Sequence, residues 1–252
     1  MMEEPLLRAS HLSCSLRGRS LLKDVSFDLP SGQLVGIIGP NGAGKSTLLR
    51  LLAGGLVPDS GAVFLAGRPL TDWTLQERAR RISWLPQHPL AAWPMQVAEI
   101  VALGRLPYGS DTADAAVTRA MDLCGLTDLA QRAADTLSGG ETARMLLARA
   151  LAVEAPVFLA DEPVAALDPG WQHGILRILK KMADAGVLIL VVLHDLALAA
   201  RYCHRLLLVR DGTLVAGGPA EDVMRNPLTE QTFGVTLRAV SEGWIVLPQS
   251  ED

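Results

Sequence analysis

The run Gly39-Pro40-Asn41-Gly42-Ala43-Gly44-Lys45-Ser46-Thr47 constrains this chain more than any other feature. It matches G-x-x-x-x-G-K-S/T, the phosphate-loop pattern, in the context that pattern requires. Residues 34–38 before it are apolar and β-branched, and residues 47–53 after it read as a helix ending at Gly54-Gly55. The glycines let the backbone curl so that successive N–H groups point inward at phosphate oxygens. The following helix adds its positive N-terminal end. Lys45 can then reach β- and γ-phosphates, and the Ser46 hydroxyl can ligand Mg²⁺. An incidental lysine in a glycine-rich turn would lack the flanking strand and helix. The loop establishes a phosphate site but no function, because kinases, GTPases and motors all carry it.

A second polar element closes an apolar run. Val157-Phe158-Leu159-Ala160 leads into Asp161-Glu162-Pro163. In a parallel sheet, ligands gather at the carboxyl ends of the strands. Asp161 is therefore expected beside the phosphate loop, holding Mg²⁺ directly or through water. Glu162 is placed to polarise a water for attack on a γ-phosphate. An acidic pair standing alone would more simply cap a strand; its company here is what changes the reading.

The remaining pattern is one of alternating β and α segments. Short β-like runs occupy 12–16, 25–29, 34–38 and 62–66, separated by turn clusters such as Arg17-Gly18-Arg19 and Pro30-Ser31-Gly32. Residues 97–103, 114–124 and 141–153 are rich in Ala, Leu and Arg and read as an inserted helical stretch. Alternation then resumes, with strands at 157–160 and 187–193 and helices at 170–185 and 196–202. Residues 205–210 and 213–217 flank Asp211-Gly212, a strong hairpin turn. Buried strands alternating with helices predict an α/β fold on a parallel sheet.

Composition narrows the class further. With 252 residues, 49 % hydrophobic and 20 % charged, the chain can bury a large core without staples. A net charge of −4 gives no sign of a nucleic-acid partner. Cys14, Cys124 and Cys203 form no CxxC pair and read as reduced thiols. Met1 to Ser10 carries Glu3 and Glu4 and lacks a basic-then-apolar pattern, so no secretory leader is expected. The longest apolar run, residues 186–193, is far short of the roughly 20 residues a spanning helix needs. A membrane role would require something else to hold the chain there.

Leu137-Ser138-Gly139-Gly140-Glu141 opens the helical run at 141–153, with Ser138 as N-cap and Glu141 at the capping-box spacing. Its exposed N–H groups make a second anion site, of a different kind from the first. With these residues in view, the chain strongly resembles the ABC transporter ATPase family, over nearly its whole length and in the family's order. Gly39 to Thr47 resembles Walker A, Gln87 the Q-loop glutamine, Leu137 to Glu141 the LSGGE signature and Asp161-Glu162 the Walker B end. Ala165-Ala166-Leu167-Asp168 is similar to the D-loop, and His194 to the switch histidine.

The resemblance implies a P-loop NTPase (RecA-like) core with an N-terminal antiparallel β subdomain and an inserted α-helical subdomain. Residues 1–87 and 154–252 would form the nucleotide-binding core, and 88–153 the helical part. It further implies ATP and Mg²⁺ as ligands, with Ser46, Gln87 and Asp161 at the metal. Lys45, Gln87, Glu162 and His194 would act in hydrolysis. The family works as a head-to-tail homodimer in which one copy's signature closes over ATP held by the other's phosphate loop. By the same resemblance, membrane permease subunits and, indirectly, a periplasmic or lipoprotein substrate-binding protein are partners. The place of work would be the cytoplasmic face of the inner membrane, peripherally. Taken alone, His194 and Gln87 would more often be structural.

Departures from the family are informative. Its usual adenine-stacking aromatic is replaced by Leu16, from which weaker base contact and poorer selection of ATP over GTP are expected. The signature continues with Thr142-Ala143 before Arg144 instead of polar residues such as Gln, and Ala165 replaces the D-loop serine. Trp84-Leu85-Pro86-Gln87-His88-Pro89, Val101-Ala102-Leu103-Gly104-Arg105-Leu106-Pro107, the Asp168 to His173 segment and the His194 to Tyr202 segment resemble importers of iron–siderophore, haem and cobalamin. Trp84, Trp93 and Met95 are read either as walls of a permease-binding groove or as core. An exporter ATPase would share every catalytic motif. A soluble two-cassette protein or a small-molecule kinase fits less well, given one cassette, LSGGE and His194.

Overall fold

The computed structural model describes residues 5–87, 94–109, 114–241 and 243–248. The chain begins with β1 (Leu7–Leu16), β2 (Arg19–Leu29) and β3 (Leu34–Ile38), then α1 (Lys45–Leu52), β4 (Ser60–Leu65) and β5 (Arg68–Pro69). Next come α2 (Leu75–Arg81), β6 (Ile82–Leu85), α3 (Val97–Ala102), α4 (Ala115–Leu123), α5 (Gly139–Leu151) and β7 (Val157–Asp161). It continues with α6 (Pro169–Asp184), β8 (Leu188–Val192), α7 (Leu196–Tyr202), β9 (Arg205–Arg210) and β10 (Thr213–Pro219). Helices α8 (Ala220–Met224) and α9 (Pro227–Phe233) and the hairpin β11 (Val235–Val240) with β12 (Gly243–Pro248) follow.

The central sheet runs β10-β9-β3-β8-β7-β6, parallel except for β10. Every residue of β3, β7 and β8 is buried, as strands covered on both faces must be. Their side chains divide strictly by pleat. Leu34, Ile38, Phe158, Ala160, Ile189 and Val191 face one core, which α3, α5, α6 and α7 complete. Val35, Ile37, Val157, Leu159, Leu188 and Leu190 face a second core with α1, β1 and β2. The inserted helices thus share a core with one face of the sheet.

The antiparallel unit expected near the N-terminus is present as the sheet β2-β1-β4-β5. His11 and Asp24, both at positive φ, mark bulges where the β1–β2 register shifts. The β9–β10 hairpin turns on Asp211 (φ 51°) and Gly212 (φ 80°), the paired left-handed geometry that Asp-Gly favours. Its tip reaches back across the molecule: the Gly212 N–H donates to the Ala43 carbonyl (3.1 Å), and the Lys23 N–H donates to the Gly212 carbonyl (2.8 Å).

Some elements had no strong signal. Helix α2 buries none of its residues, so it carries no apolar stripe; the Thr74/Glu77 capping box is its one local mark. Strand β6 has only four residues and takes its identity from pairing with β7. Half-buried Trp84 packs against the core containing β1 and α1, whereas Met95 packs against the opposite one. Both are only partly buried, and they pack on different cores. Trp93 lies outside the described residues.

Candidate functional site

The carboxyl ends of β3, β6, β7 and β8 lie on one edge of the sheet and carry, in turn, the phosphate loop, Gln87, Asp161-Glu162 and His194. Parallel strand direction alone thereby gathers residues spread over most of the chain.

The loop is shaped by close approach. At Gly39 (φ 151°) a Cβ would stand 2.0 Å from the Val209 carbonyl oxygen, and at Gly44 (φ 105°) one would stand 2.6 Å from that of Leu21. No other residue type fits either position. Lys45, the first residue of α1, is 6 % exposed. Its Nζ donates to the carbonyls of Gly39 (2.8 Å) and Pro40 (2.9 Å). Burial lowers the proton affinity of this amine, and the nearby Glu162 and Asp161 charges oppose that shift.

Asp161 is 2 % exposed and accepts a hydrogen bond from the Ser46 hydroxyl. Its Oδ1 has no partner among the described residues, a buried orphan acceptor that a bound cation would satisfy. Burial raises the Asp161 pKa above the usual carboxylate range, and Glu162 adds to the rise. Ser46 and Asp161 therefore offer adjacent hard oxygens, the donor chemistry Mg²⁺ takes.

Glu162 sits at φ 56°, a left-handed turn costing about 1–2 kcal/mol for a residue other than glycine. The turn presents its carboxylate to His194, whose Nε2 lies 2.6 Å from Oε1. Gln87 is a second hydrogen-bond partner. Burial would raise the Glu162 pKa, but these hydrogen bonds and the His194 and Lys45 charges outweigh it and hold the group below its ordinary value. An ionised carboxylate only accepts, so His194 carries its proton on Nε2. Gln87, Glu162 and His194 thus form one contact set next to Ser46 and Asp161.

A cleft of about 270 Å³ is lined by Asn41, Gly42 and Gly44 of the loop, the start of α1, Gln87 and Glu162. Arg19 and Leu21 of β2 also line it. Neither was foreseen. Nothing in their spacing from Gly39 marks them, and only the packing of β2 on the loop brings them in. Leu16 is 60 % exposed and does not line this cleft.

The signature turn stands elsewhere. Ser138 caps α5 in a full capping box: its N–H donates to Glu141 Oε2 (2.8 Å), and the Glu141 N–H donates to Ser138 Oγ (3.3 Å). Space is open around Gly139. Ser138 does not line the phosphate-loop cleft, so the two anion sites of one chain are separate. A larger cleft of about 480 Å³ lies between α5 and the Walker B end, and Thr142, Ala143 and Ala165 all line it. The departures from the family's polar residues therefore meet in one place. Asp168 caps α6, and Gln172 Nε2 donates to the carbonyls of Val164 and Leu167, which braces the D-loop. Ser138→Ala is expected to lower the unfolding free energy by about 1 kcal/mol through the lost cap, read as a lower urea midpoint.

The ABC transporter family profile matches residues 22–165. A hemin import ATP-binding protein HmuV from Streptomyces coelicolor is 44 % identical over 234 residues, covering 91 % of this chain and 84 % of that protein. Its namesake from Pseudomonas putida is 42 % identical over 237 residues, covering 91 % and 93 %. Among solved structures, a nucleotide-free ATP-binding cassette of an ABC transporter superposes with a TM-score of 0.80 at 25 % identity, over 91 % of this chain and 98 % of its own. The dimeric ABC transporter cassette MJ0796 gives 0.76 at 27 % identity, over 85 % and 98 %.

Proposed function

This chain belongs to the ABC transporter family as an ATP-hydrolysing subunit, and we propose that it energises import of haem or a closely related iron chelate. The observation carrying the substrate class is the run of relatives named for hemin import, at 44 % and 42 % identity over 91 % of the chain. Among the described residues no helix is long and apolar enough to cross a membrane. Permease subunits therefore hold the chain peripherally at the cytoplasmic face of the membrane, and a substrate-binding protein delivers cargo from the other side. Residues 88–153 serve as the helical subdomain and the rest as the nucleotide-binding core.

ATP phosphates settle into the loop at residues 39–47, and Lys45 exchanges its two loop carbonyls for β- and γ-phosphate oxygens. Ser46 and Asp161, with Gln87 nearby, would hold Mg²⁺, which would supply positive charge against the phosphates. Glu162, ionised at neutral pH, orients a water and accepts its proton as the water oxygen bonds to the γ-phosphorus and the bond to the β-phosphate oxygen breaks, releasing ADP. His194 donates from Nε2, first to Glu162 and then to the γ-phosphate. Because Ser138's turn and the phosphate loop are apart in one chain, the signature serves ATP held by a second copy. Binding closes that homodimer and hydrolysis opens it. The dimeric cassette among the structural neighbours supports this arrangement.

With no aromatic ring at Leu16, ATP is expected to bind less than about tenfold better than GTP, under 1.4 kcal/mol. Titrations showing a strong ATP preference that Leu16→Ala leaves unchanged would refute this. The cargo is tested by purifying the chain with its permease and binding protein and screening ligands on the latter. Haem-loaded binding protein should stimulate ATP hydrolysis in proteoliposomes; stimulation by a cobalamin-loaded form and not by haem would overturn the assignment.

A further inference from the structure

Arg19 opens β2 directly after the left-handed Arg17-Gly18 turn (φ 50° and 78°), and it lines the same cleft as the phosphate loop. The start of β2 is held firmly there. Gly44 approaches the Leu21 carbonyl too closely to admit a Cβ, and Gly212 ties Lys23 of β2 to Ala43 of the loop through two backbone hydrogen bonds. Arg19 is exposed and, among the described residues, its side chain has no hydrogen-bond or ion-pair partner. The fold thus fixes a guanidinium beside an anion site and leaves it free for a ligand.

Its place in the cleft says which part of the ligand. Gln87 and Glu162 of the hydrolytic set, the phosphate loop and the start of α1 line the cleft, and Arg19 and Leu21 supply the one stretch of wall that belongs to none of these. No aromatic residue lines this cleft. Leu16, the register partner of Arg19, offers no ring. The planar group available to a purine on this wall is the Arg19 guanidinium.

We infer that Arg19 is the base-recognition residue of this ATP hydrolase, its guanidinium lying flat on the purine while Leu21 packs against the sugar. Arginine planes stack on bases, and the charge is attracted to the π face. Stacking does not read the substituents on the ring edge, so ATP and GTP are held alike. This inference rests on the phosphate-loop reading given above.

The test is equilibrium titration of the full chain with ATP, GTP and inorganic tripolyphosphate. Arg19→Ala should weaken ATP and GTP alike, roughly two- to fivefold, the range of a surface cation–π contact. Tripolyphosphate should bind unchanged. Arg19→Lys, which keeps the charge and loses the plane, should fall with Arg19→Ala, and adding Leu16→Tyr should restore ATP affinity. Parental ATP binding by Arg19→Ala or Arg19→Lys, or an equal loss of tripolyphosphate, overturns the base contact. Lys45→Ala separates the two readings, because it should lose tripolyphosphate. If it keeps tripolyphosphate, the phosphate-loop reading fails and the base contact fails with it.

Discussion

Glu162→Gln is expected to bind ATP as the parent does and to turn it over about 10²–10⁴-fold more slowly, the usual worth of a general base. The amide occupies the same volume at the end of β7 and keeps the hydrogen-bonding reach of the carboxylate. It cannot take a proton from water. It also faces His194 Nε2 with a site that is either a weaker acceptor or a second donor, so the 2.6 Å contact loosens. In the proposed cycle hydrolysis removes the bridge between two copies, so the variant should accumulate as an ATP-bound dimer. Sizing with ATP, alongside phosphate release, reads both effects. A monomer that still hydrolyses ATP would refute the proposed role and the proposed dimer together.

Lys45→Ala acts earlier, on binding. Hydrogen bonds from a cation to phosphate are worth about 1.5–3 kcal/mol, so ATP affinity should fall roughly ten- to a hundredfold. The substitution also leaves the Gly39 and Pro40 carbonyls without their present donor. A urea melt of the variant separates a weakened fold from a weakened site, since the central sheet does not depend on Lys45. Normal affinity in a folded Lys45→Ala chain would remove the phosphate loop from the account.

Much of this arrangement could be read before any coordinates, and the reasons are local. β3, β7 and β8 are continuous apolar runs because both faces are covered, and they run out at Gly39-Pro40, at Asp161-Glu162 and just before His194. Phosphate loop, Asp161-Glu162 and His194 follow from that. Capping chemistry marked Ser138 and Glu141. Packing supplied the rest. Helix α2 has no buried side, β6 is defined by its neighbour, and the β11–β12 hairpin pairs Val235 to Val240 with Gly243 to Pro248 without a two-residue turn signal. The joint hold of Gln87 and His194 on Glu162 depends on strand order, which local pattern does not encode. Arg19 enters only through the way β2 lies against Gly44.

The contact of Gly39 with Val209, and of Ala43 with Gly212, sets a timetable for synthesis. The loop leaves the ribosome early, whereas its buttress follows 170 residues later (209 − 39). At about 5–20 residues per second, that delay is roughly 9–34 s. Throughout it the nascent chain carries the motif without the backing that shapes it. A translation product stopped before residue 205 should therefore be unable to grip nucleotide, so ATP competence certifies that β9 and the turn after it have been made.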